Sequence, residues 1–244
     1  MHRKKATSRR HFLCSVAKAG SLLAVPAIVP AKALGLDGGV AANERITLAG
    51  IGIRYRGSYV LGCMMDEPIM QFVAIADVSR ESRERVKARA EQKYGPGVGV
   101  YRDFREMLGR SDIDAVLIAT GDRWHTPASI YAARAGKDIY CEKPCSMTIG
   151  ESQALADVMQ RYGRIYQAGT QRRSVANFIF ATDLCRTGKL GKLTAVHANT
   201  LHPATKHDWL PGQTEPAQDE LDWDLWLGPC PWRPYNKQYT EGGW

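Results

Sequence analysis

Lys143 is the residue of this chain best placed for acid–base chemistry. Asp138 to Cys141 reads as a short buried strand, and Glu142-Lys143-Pro144 continues from its carboxyl end. That edge is where open α/β sheets bind ligands. A lysine beside a bound cofactor can be desolvated and crowded by positive charge, which favours the neutral amine and lets it exchange protons with a substrate hydroxyl. Pro144 fixes the turn that aims the lysine.

The segments before this corner predict the frame that positions it. An isolated Glu-Lys pair would ordinarily be a surface ion pair, but residues 114–120 form a continuous apolar run typical of a parallel strand covered on both faces. Thr126 and Pro127 are predicted as the N-cap and first residue of a helix that runs to Arg134. These segments are, in order, a strand, a loop, a helix and a second strand that ends at the lysine. They make a βαβ unit whose loops open at one edge of the sheet.

The pattern AT-x-x-x-WH-x-P followed by AGKDIYCEKP resembles the Gfo/Idh/MocA family of nicotinamide-dependent sugar and polyol oxidoreductases. The resemblance extends from about Arg45 to the last residue. It implies an NAD(P) cofactor, a sugar or polyol substrate, and Lys143 as the group that moves the hydroxyl proton. It also implies that Glu142 orients Lys143 and the nicotinamide ribose, and that a homo-oligomer forms in the full-length protein. The residues implied to line the nicotinamide pocket are Thr120, Trp124 and His125.

Composition argues against a nucleic-acid partner. The formal net charge of the 244 residues is +8, which would suggest one if the charge were clustered on the fold. Seven positive charges lie in the first 33 residues, before any acidic residue, and subtracting them from +8 leaves +1. The six cysteines show no C-x-x-C pair or metal-finger spacing, which favours buried thiols over a disulfide framework.

The first 33 residues resemble an export signal. The twin-arginine pattern at residues 8–13 precedes a short apolar stretch at 22–29 and an A-x-A sequence at 31–33. That stretch is far shorter than the roughly 20 residues that a membrane span needs, so no stable membrane insertion is expected. We expect a signal peptide over 1–33, a linker over 34–44, and export of the folded protein to the periplasm with a tightly held nucleotide. A disordered basic tail is the alternative.

A short predicted strand leads into a glycine-rich turn, which matches the dinucleotide-binding fingerprint only in part. In that fingerprint three glycines serve the tight turn, the approach of the pyrophosphate and the packing of helix on strand. If Gly52 and Gly57 are the first and third glycines, Arg54 occupies the second position, where it either crowds the phosphate or pairs with it. If Gly50 and Gly52 are the first two, Tyr55 occupies the third.

Asp77 is the candidate for holding the adenosine ribose. It follows a strand predicted over 72–76, at the distance from the glycine turn where an acidic residue binds the ribose hydroxyls. Its charge favours NAD by repelling a 2′-phosphate, whereas nearby Arg80 leaves NADP open. Asp77 could instead cap the helix predicted over 80–94, a role that Ser79 can also fill.

Alternating strands and helices predict an α/β fold with a doubly wound parallel (Rossmann) sheet over 45–168. Beyond it, Ser174 is predicted to cap a further helix, and alternation in 193–199 predicts a strand of an antiparallel sheet. That strand would begin an α+β substrate and oligomerisation domain over 169–244, and the Trp- and Pro-rich segment 221–235 resembles part of that domain. The chain ends where further strands are expected, so we interpret it as truncated.

Three histidines in this second half invite a metal hypothesis. His197, His202 and His207 recur every five residues, which matches no helical face, and no other ligand lies at a suitable spacing, so no metal site is expected. Surface or substrate-lining positions are the better interpretation, with His202 as a candidate for substrate contact. At the domain junction, Gln171 is a candidate for the cofactor and Arg172 for the substrate. The three tryptophans of 221–235 are interpreted as packing.

The family resemblance implies a dehydrogenase that moves hydride between a sugar or polyol carbon and NAD, with NADP possible. Two alternatives remain open. Arg54 and the missing C-terminal strands would suit a non-catalytic nucleotide- or sugar-binding relic. The export signal and the WH-x-P stretch would suit the NAD-dependent glycosidases of the same family.

Overall fold

A parallel sheet forms the centre of residues 45–244, which make one unit, and residues 1–44 make another. The computed structural model describes residues 31–36, 40–199 and 209–241. Its strands are β1 (Ile46–Ile51), β2 (Met70–Ala76), β3 (Gly99–Tyr101), β4 (Ala115–Ile118), β5 (Asp138–Glu142) and β6 (Tyr166–Gly169). Their order is β3-β2-β1-β4-β5-β6, and every pairing among them is parallel. The predicted Rossmann sheet is confirmed.

Helices cover both faces of this sheet. They are α1 (Tyr55–Asp66), α2 (Arg80–Tyr94), α3 (Phe104–Leu108), α4 (His125–Arg134), α5 (Ile149–Tyr162), α6 (Ala176–Arg186), α7 (Trp223–Leu227) and α8 (Lys237–Thr240). One apolar cluster joins α1 and α2 to the sheet through residues such as Leu61 and Val86, and the other joins α3, α4 and α5 through residues such as Met107 and Leu155. In the described ranges, no helix is long and apolar enough to cross a membrane.

Side-chain caps begin the helices that the sequence predicts best. Ser79 caps α2 by accepting the backbone N–H of Ser82, so that prediction is confirmed, and Asp103 caps α3 by accepting the backbone N–H of Arg105. The prediction for α4 is wrong by two residues at its start. The helix begins at His125, and the Thr126 hydroxyl instead donates to the carbonyl of Cys145 (3.0 Å), because the corner after β5 lies against this turn.

Two predictions after β6 are also wrong. Ser174 belongs to the 3-10 turn Gln171–Ser174 and does not cap α6, whose N-cap is Val175 and makes no side-chain cap bond. Residues 193–199 form no strand, because a strand needs a partner for its backbone groups and none lies beside them in the described residues. The domain boundary at 168/169 stays a prediction.

The C-terminal segment (residues 219–241) packs at the carboxyl edge of the Rossmann sheet. The Arg80 N–H donates to the Glu220 carbonyl (2.9 Å) and the Asp222 N–H to the Val78 carbonyl (3.1 Å), just beyond β2. Trp223 anchors the segment in a small apolar cluster with Leu227 and Tyr235. The segment therefore covers the edge at which a Rossmann sheet binds its ligand.

The predicted export signal, including the twin-arginine pattern, lies outside the described residues, as do His202 and His207. In the first unit, the described residues include the two short 3-10 helices Ala31–Leu34 and Ala42–Glu44.

Candidate active site

A cavity of about 600 Å³ lies outside the carboxyl ends of the parallel strands. Loops after β1, β2, β4 and β5 form most of its wall, and the C-terminal segment completes it with Leu225, Trp226, Tyr239 and Thr240. The sheet reverses its winding direction between β1 and β4, and the cavity spans that point. This is the position at which doubly wound sheets hold a dinucleotide.

The glycine turn takes the first of the two predicted registers. Gly52 has φ +69°, and a Cβ there would lie 2.5 Å from the Thr120 methyl carbon, so this position requires glycine. A Cβ on Gly57 would lie 2.8 Å from that of Ala119, which makes Gly57 the residue that lets α1 pack on the sheet. Gly50 lies inside β1 and pairs with both neighbouring strands. Tyr55, the alternative third position, is 74% exposed and packs no helix on the sheet.

Arg54 stands where the fingerprint would place its second glycine. It is the N-cap of α1 and makes no side-chain cap bond, so the first N–H groups of this helix remain directed at the cavity. Its guanidinium donates to the carbonyl of Thr240 in the C-terminal segment. A helix N-terminus together with an arginine suits a pyrophosphate, so Arg54 is positioned to pair with phosphate at this end of the loop.

Asp77 directly follows β2, and its buried carboxyl group has one oxygen without a hydrogen-bond partner among the described residues. Oδ1 accepts the backbone N–H of Ser79 (2.9 Å), whereas Oδ2 is buried and has no hydrogen-bond partner among the described residues. Burial raises the pKa of Asp77 to about 6, although the Ser79 N–H and the positive charges of Arg54 and Arg83 oppose the shift. A buried acceptor on the cavity wall without a partner fits the ribose hydroxyls of a dinucleotide.

Glu142 organises the opposite end of the cavity. Its buried carboxylate accepts from Arg56 Nε (3.0 Å) and from the Lys143 backbone N–H (3.2 Å). The Gln171 amide, turned so that its oxygen faces Arg56, accepts from that guanidinium (3.3 Å) and donates to the Gly169 carbonyl. Glu142 is therefore paired with Arg56 and not with Lys143, and it fixes the backbone from which the lysine side chain extends.

Lys143 is exposed and borders the cavity. Among the described residues, none forms an ion pair or hydrogen bond with its ammonium group, so the amine is available to a ligand. The peptide bond between Lys143 and Pro144 is cis.

His125 ties the loop after β4 to the lysine corner. The ring is buried, with Nδ1 2.6 Å from the carbonyl oxygen of Pro144 and Nε2 3.1 Å from that of Thr120. Because carbonyl oxygens only accept, each ring nitrogen donates only when it carries a proton, and a neutral imidazole can donate to just one of the two carbonyls. Trp124 also borders the cavity, but its indole N–H donates to the carbonyl of Leu225 (2.8 Å) and so holds the C-terminal segment.

Of the predicted site residues, Arg172 lies apart from this group, and nothing is described for His202. Arg172 does not border the cavity, and its guanidinium lies over the ring of Phe178, 5.3 Å from the ring centroid. His202 lies outside the described residues. Sequence reasoning missed Arg56, whose place one residue before Gly57 was a usable signal. It also missed Arg123, whose partner is about a hundred positions away and gave no signal. No group of three or more metal-ligating side chains occurs within 31–36, 40–199 and 209–241.

A family model described as an oxidoreductase family with an NAD-binding Rossmann fold, Gfo/Idh/MocA, matches residues 45–170. The chain belongs to this family. A glycosyl hydrolase family 109 protein of Saccharopolyspora erythraea is 29% identical over 177 residues, covering 66% of this Gfo/Idh/MocA chain and 39% of the relative. Inositol 2-dehydrogenase of Salmonella typhimurium is 25% identical over 164 residues, covering 65% and 47%.

Solved structures show the same fold. Scyllo-inositol dehydrogenase from Lactobacillus casei, crystallised with NAD(H) and scyllo-inositol, superimposes with a TM-score of 0.55 and 24% identity over 62% of this chain and 43% of that one. The Gfo/Idh/MocA chain spans less than half the length of these relatives.

Proposed function

We propose that this chain carries the cofactor half of an NAD(P)-dependent oxidoreductase that interconverts a hydroxyl and a carbonyl group on a sugar or polyol. The main support is the Lys143 ammonium, unpaired among the described residues, on a cavity that also borders a glycine turn and the buried Asp77 carboxyl group. The name of the inositol 2-dehydrogenase relative supports a polyol as the substrate class.

In this reaction the cofactor and Lys143 have separate tasks. Oxidation of an alcohol breaks a C–H bond and an O–H bond, and bound nicotinamide supplies the acceptor for the hydride. Lys143 in its amine form takes the hydroxyl proton, and in the reverse direction its ammonium group returns it. Glu142 holds the lysine backbone and balances the charge of Arg56, so the corner keeps its shape as the proton moves.

Asp77 makes NAD the preferred cofactor in this proposal. Its unused oxygen accepts a ribose hydroxyl, whereas a 2′-phosphate in the same place would bring negative charge against a buried carboxylate. The twin-arginine pattern extends the proposal to a periplasmic enzyme that is exported folded, with its nucleotide in place.

Replacement of Lys143 tests the role of the amine. Lys143→Ala should lower NAD reduction across a sugar and polyol panel by at least roughly a hundredfold, the typical contribution of an acid–base group, while NADH still binds as judged by its fluorescence. Lys192→Ala is the matched control, because Lys192 is exposed and does not border the cavity. Unchanged turnover in Lys143→Ala would refute the mechanism.

The same assays separate the alternatives. Binding of NADH by the wild-type chain without NAD reduction on any substrate would favour the non-catalytic nucleotide-binding protein. The glycosyl hydrolase relative makes glycoside cleavage the second candidate. Release of nitrophenol from a nitrophenyl glycoside, dependent on added NAD, would establish that activity in place of net oxidation.

A further inference from the structure

Arg123 and two tryptophans of the C-terminal segment form a layered stack at the cavity wall. The Arg123 guanidinium carbon lies 4.0 Å from the ring centroid of Trp226. Trp226 in turn stacks on Trp223, with ring centroids 4.7 Å apart and planes inclined by 15°. Two flat groups cannot occupy the same face of one indole at these distances, so Trp226 is covered on both faces. The outer layer of the stack is therefore Arg123.

Backbone carbonyl groups hold the plane of this guanidinium. Nε donates to the carbonyl oxygens of Trp226 (2.8 Å) and Leu227 (3.1 Å), and Nη2 donates to that of Trp226 as well. No carboxylate forms an ion pair with Arg123 within the described residues, and burial lowers its pKa from the ordinary value. A partly desolvated cation held over one face of an indole at the cavity wall can offer its other face to a ligand.

The position of the stack identifies the part of the dinucleotide that would meet it. In a doubly wound sheet the adenosine lies over the β2 side of the switch point and the nicotinamide lies toward β5. Arg123 follows β4, beside the switch point, and borders the same cavity as Asp77, Val78 and Arg102, which follow β2 and β3. Asp222, just before Trp223, pairs with Arg102 (3.3 Å), which places the tryptophans on that side. Lys143 and Glu142 lie after β5, at the other end.

We propose that Arg123 is an adenine-binding residue, with its guanidinium stacked between the adenine ring and Trp226. This inference rests on the proposed dinucleotide site and deepens it. The C-terminal segment, outside the region that matches the family, is then part of the cofactor site, because it supplies both the indole and the carbonyl groups that fix the arginine. Stacking on a planar cation needs only an aromatic face, which every purine ring has.

Calorimetric titration of the whole chain with AMP, ribose 5-phosphate and NADH tests the inference. Arg123→Ala should weaken AMP and NADH binding by roughly tenfold and leave ribose 5-phosphate, which lacks the base, within about twofold of wild type. Arg123→Lys should resemble Arg123→Ala, because a lysine keeps the charge but not the plane. Trp232→Ala is the control, since Trp232 is 68% exposed and does not border the cavity.

Each outcome has one meaning. If wild type binds neither NADH nor AMP, the proposed function fails and this inference fails with it. If wild type binds both and Arg123→Ala binds them equally well, or loses AMP and ribose 5-phosphate alike, only the inference is overturned. Should the variants not fold, photolabelling of wild type with 8-azido-AMP decides the matter. Crosslinks to the peptides of Arg123 or Trp226 support stacking, and crosslinks confined to other peptides overturn it.

Discussion

Replacing Asp77 with asparagine should stabilise the free protein while weakening its hold on the cofactor. Asparagine has the same shape and keeps an oxygen that can accept the Ser79 N–H. It removes the charge of a carboxylate that burial disfavours and that has one oxygen without a partner. A residue selected for packing would not show such opposite effects on stability and binding.

The magnitude follows from the shifted titration of Asp77. Burial raises its pKa from 3.8 to about 6, and a difference of about two units corresponds to about 3 kcal/mol. Between pH 3.8 and 6 the native state binds the extra proton, so stability falls as pH rises through this window. The full cost in stability of ionising the buried Asp77 carboxyl group applies above pH 6, and none of it applies below pH 3.8. Burying the asparagine NH₂ without a partner costs about 2 kcal/mol, leaving a net gain of about 1 kcal/mol at neutral pH.

Urea denaturation at two pH values measures this effect. Asp77→Asn should be more stable than wild type by about 1 kcal/mol at about pH 7.5, a rise of roughly 2–4 °C in Tm, and the advantage should disappear near pH 4. NADH should bind roughly tenfold more weakly, because a charge-assisted bond to ribose is lost. An Asp77→Asn protein that is less stable at pH 7.5, or equally stabilised at both pH values, would refute the reasoning.

Asp103→Asn is the matched control. Burial alone would raise the pKa of Asp103, but its hydrogen bonds to Arg105 outweigh burial and hold the pKa below the ordinary value. The ionised form of Asp103 therefore stabilises the fold at pH values above the pKa that Asp103 has in the unfolded chain. Asp103→Asn loses this stabilisation, so the variant should be less stable than wild type at pH 7.5. The two substitutions are chemically identical and have opposite expected signs.

Three further predictions address packing, the lysine corner and the leader. Gly57→Ala should lower stability by roughly 1–3 kcal/mol in thermal unfolding, because its Cβ meets that of Ala119, whereas Gly62→Ala in the same helix meets only the end of a flexible arginine and should be neutral or stabilising. Glu142→Gln should reduce turnover roughly tenfold with little change in Tm, as the charge that holds the corner is lost; a fall in Tm with normal turnover would contradict this. Changing Arg9 and Arg10 to lysine should retain the protein in the cytoplasm on fractionation, and normal export would disprove the leader.

Local chemistry explains why much of the nucleotide half could be predicted. A parallel strand buried on both faces is a short apolar run, and a capping residue such as Ser79 marks where the next helix begins. The site residues at strand ends, Asp77 and Glu142, follow from the same pattern because parallel strands deliver their carboxyl ends to one edge. The register of the glycine turn could not be chosen from sequence. It depends on which glycine faces Thr120 and which faces Ala119, and both of these residues lie in the loop after β4, more than sixty positions along the chain.

Tertiary contacts overrode local preference in the parts that were predicted wrongly. Thr126 has the chemistry of an N-cap, but the loop after β5 offers its hydroxyl a carbonyl acceptor and α4 begins two residues earlier. Apolar and polar residues alternate in 193–199 as they would in a strand. A strand also needs a neighbouring strand to pair with, and the described residues provide none here. Trp223 and Trp226 pack as interpreted, although Trp226 also borders the cavity, but the interpretation is wrong for Trp232, which is 68% exposed.

The two ends of the cavity are assembled over different distances in sequence. The lysine end comes from one βαβ unit, in which the loop after β4 and the corner after β5 are joined through His125. The rest of the wall is joined over longer distances: Arg123, in the same loop after β4, donates to a carbonyl 103 positions away, and Arg54 donates to one 186 positions away. Loosening the C-terminal segment should therefore weaken cofactor binding before it alters the lysine corner. Substitutions at Trp223 should raise the Kd for NADH and leave the rate of the bound complex nearly unchanged.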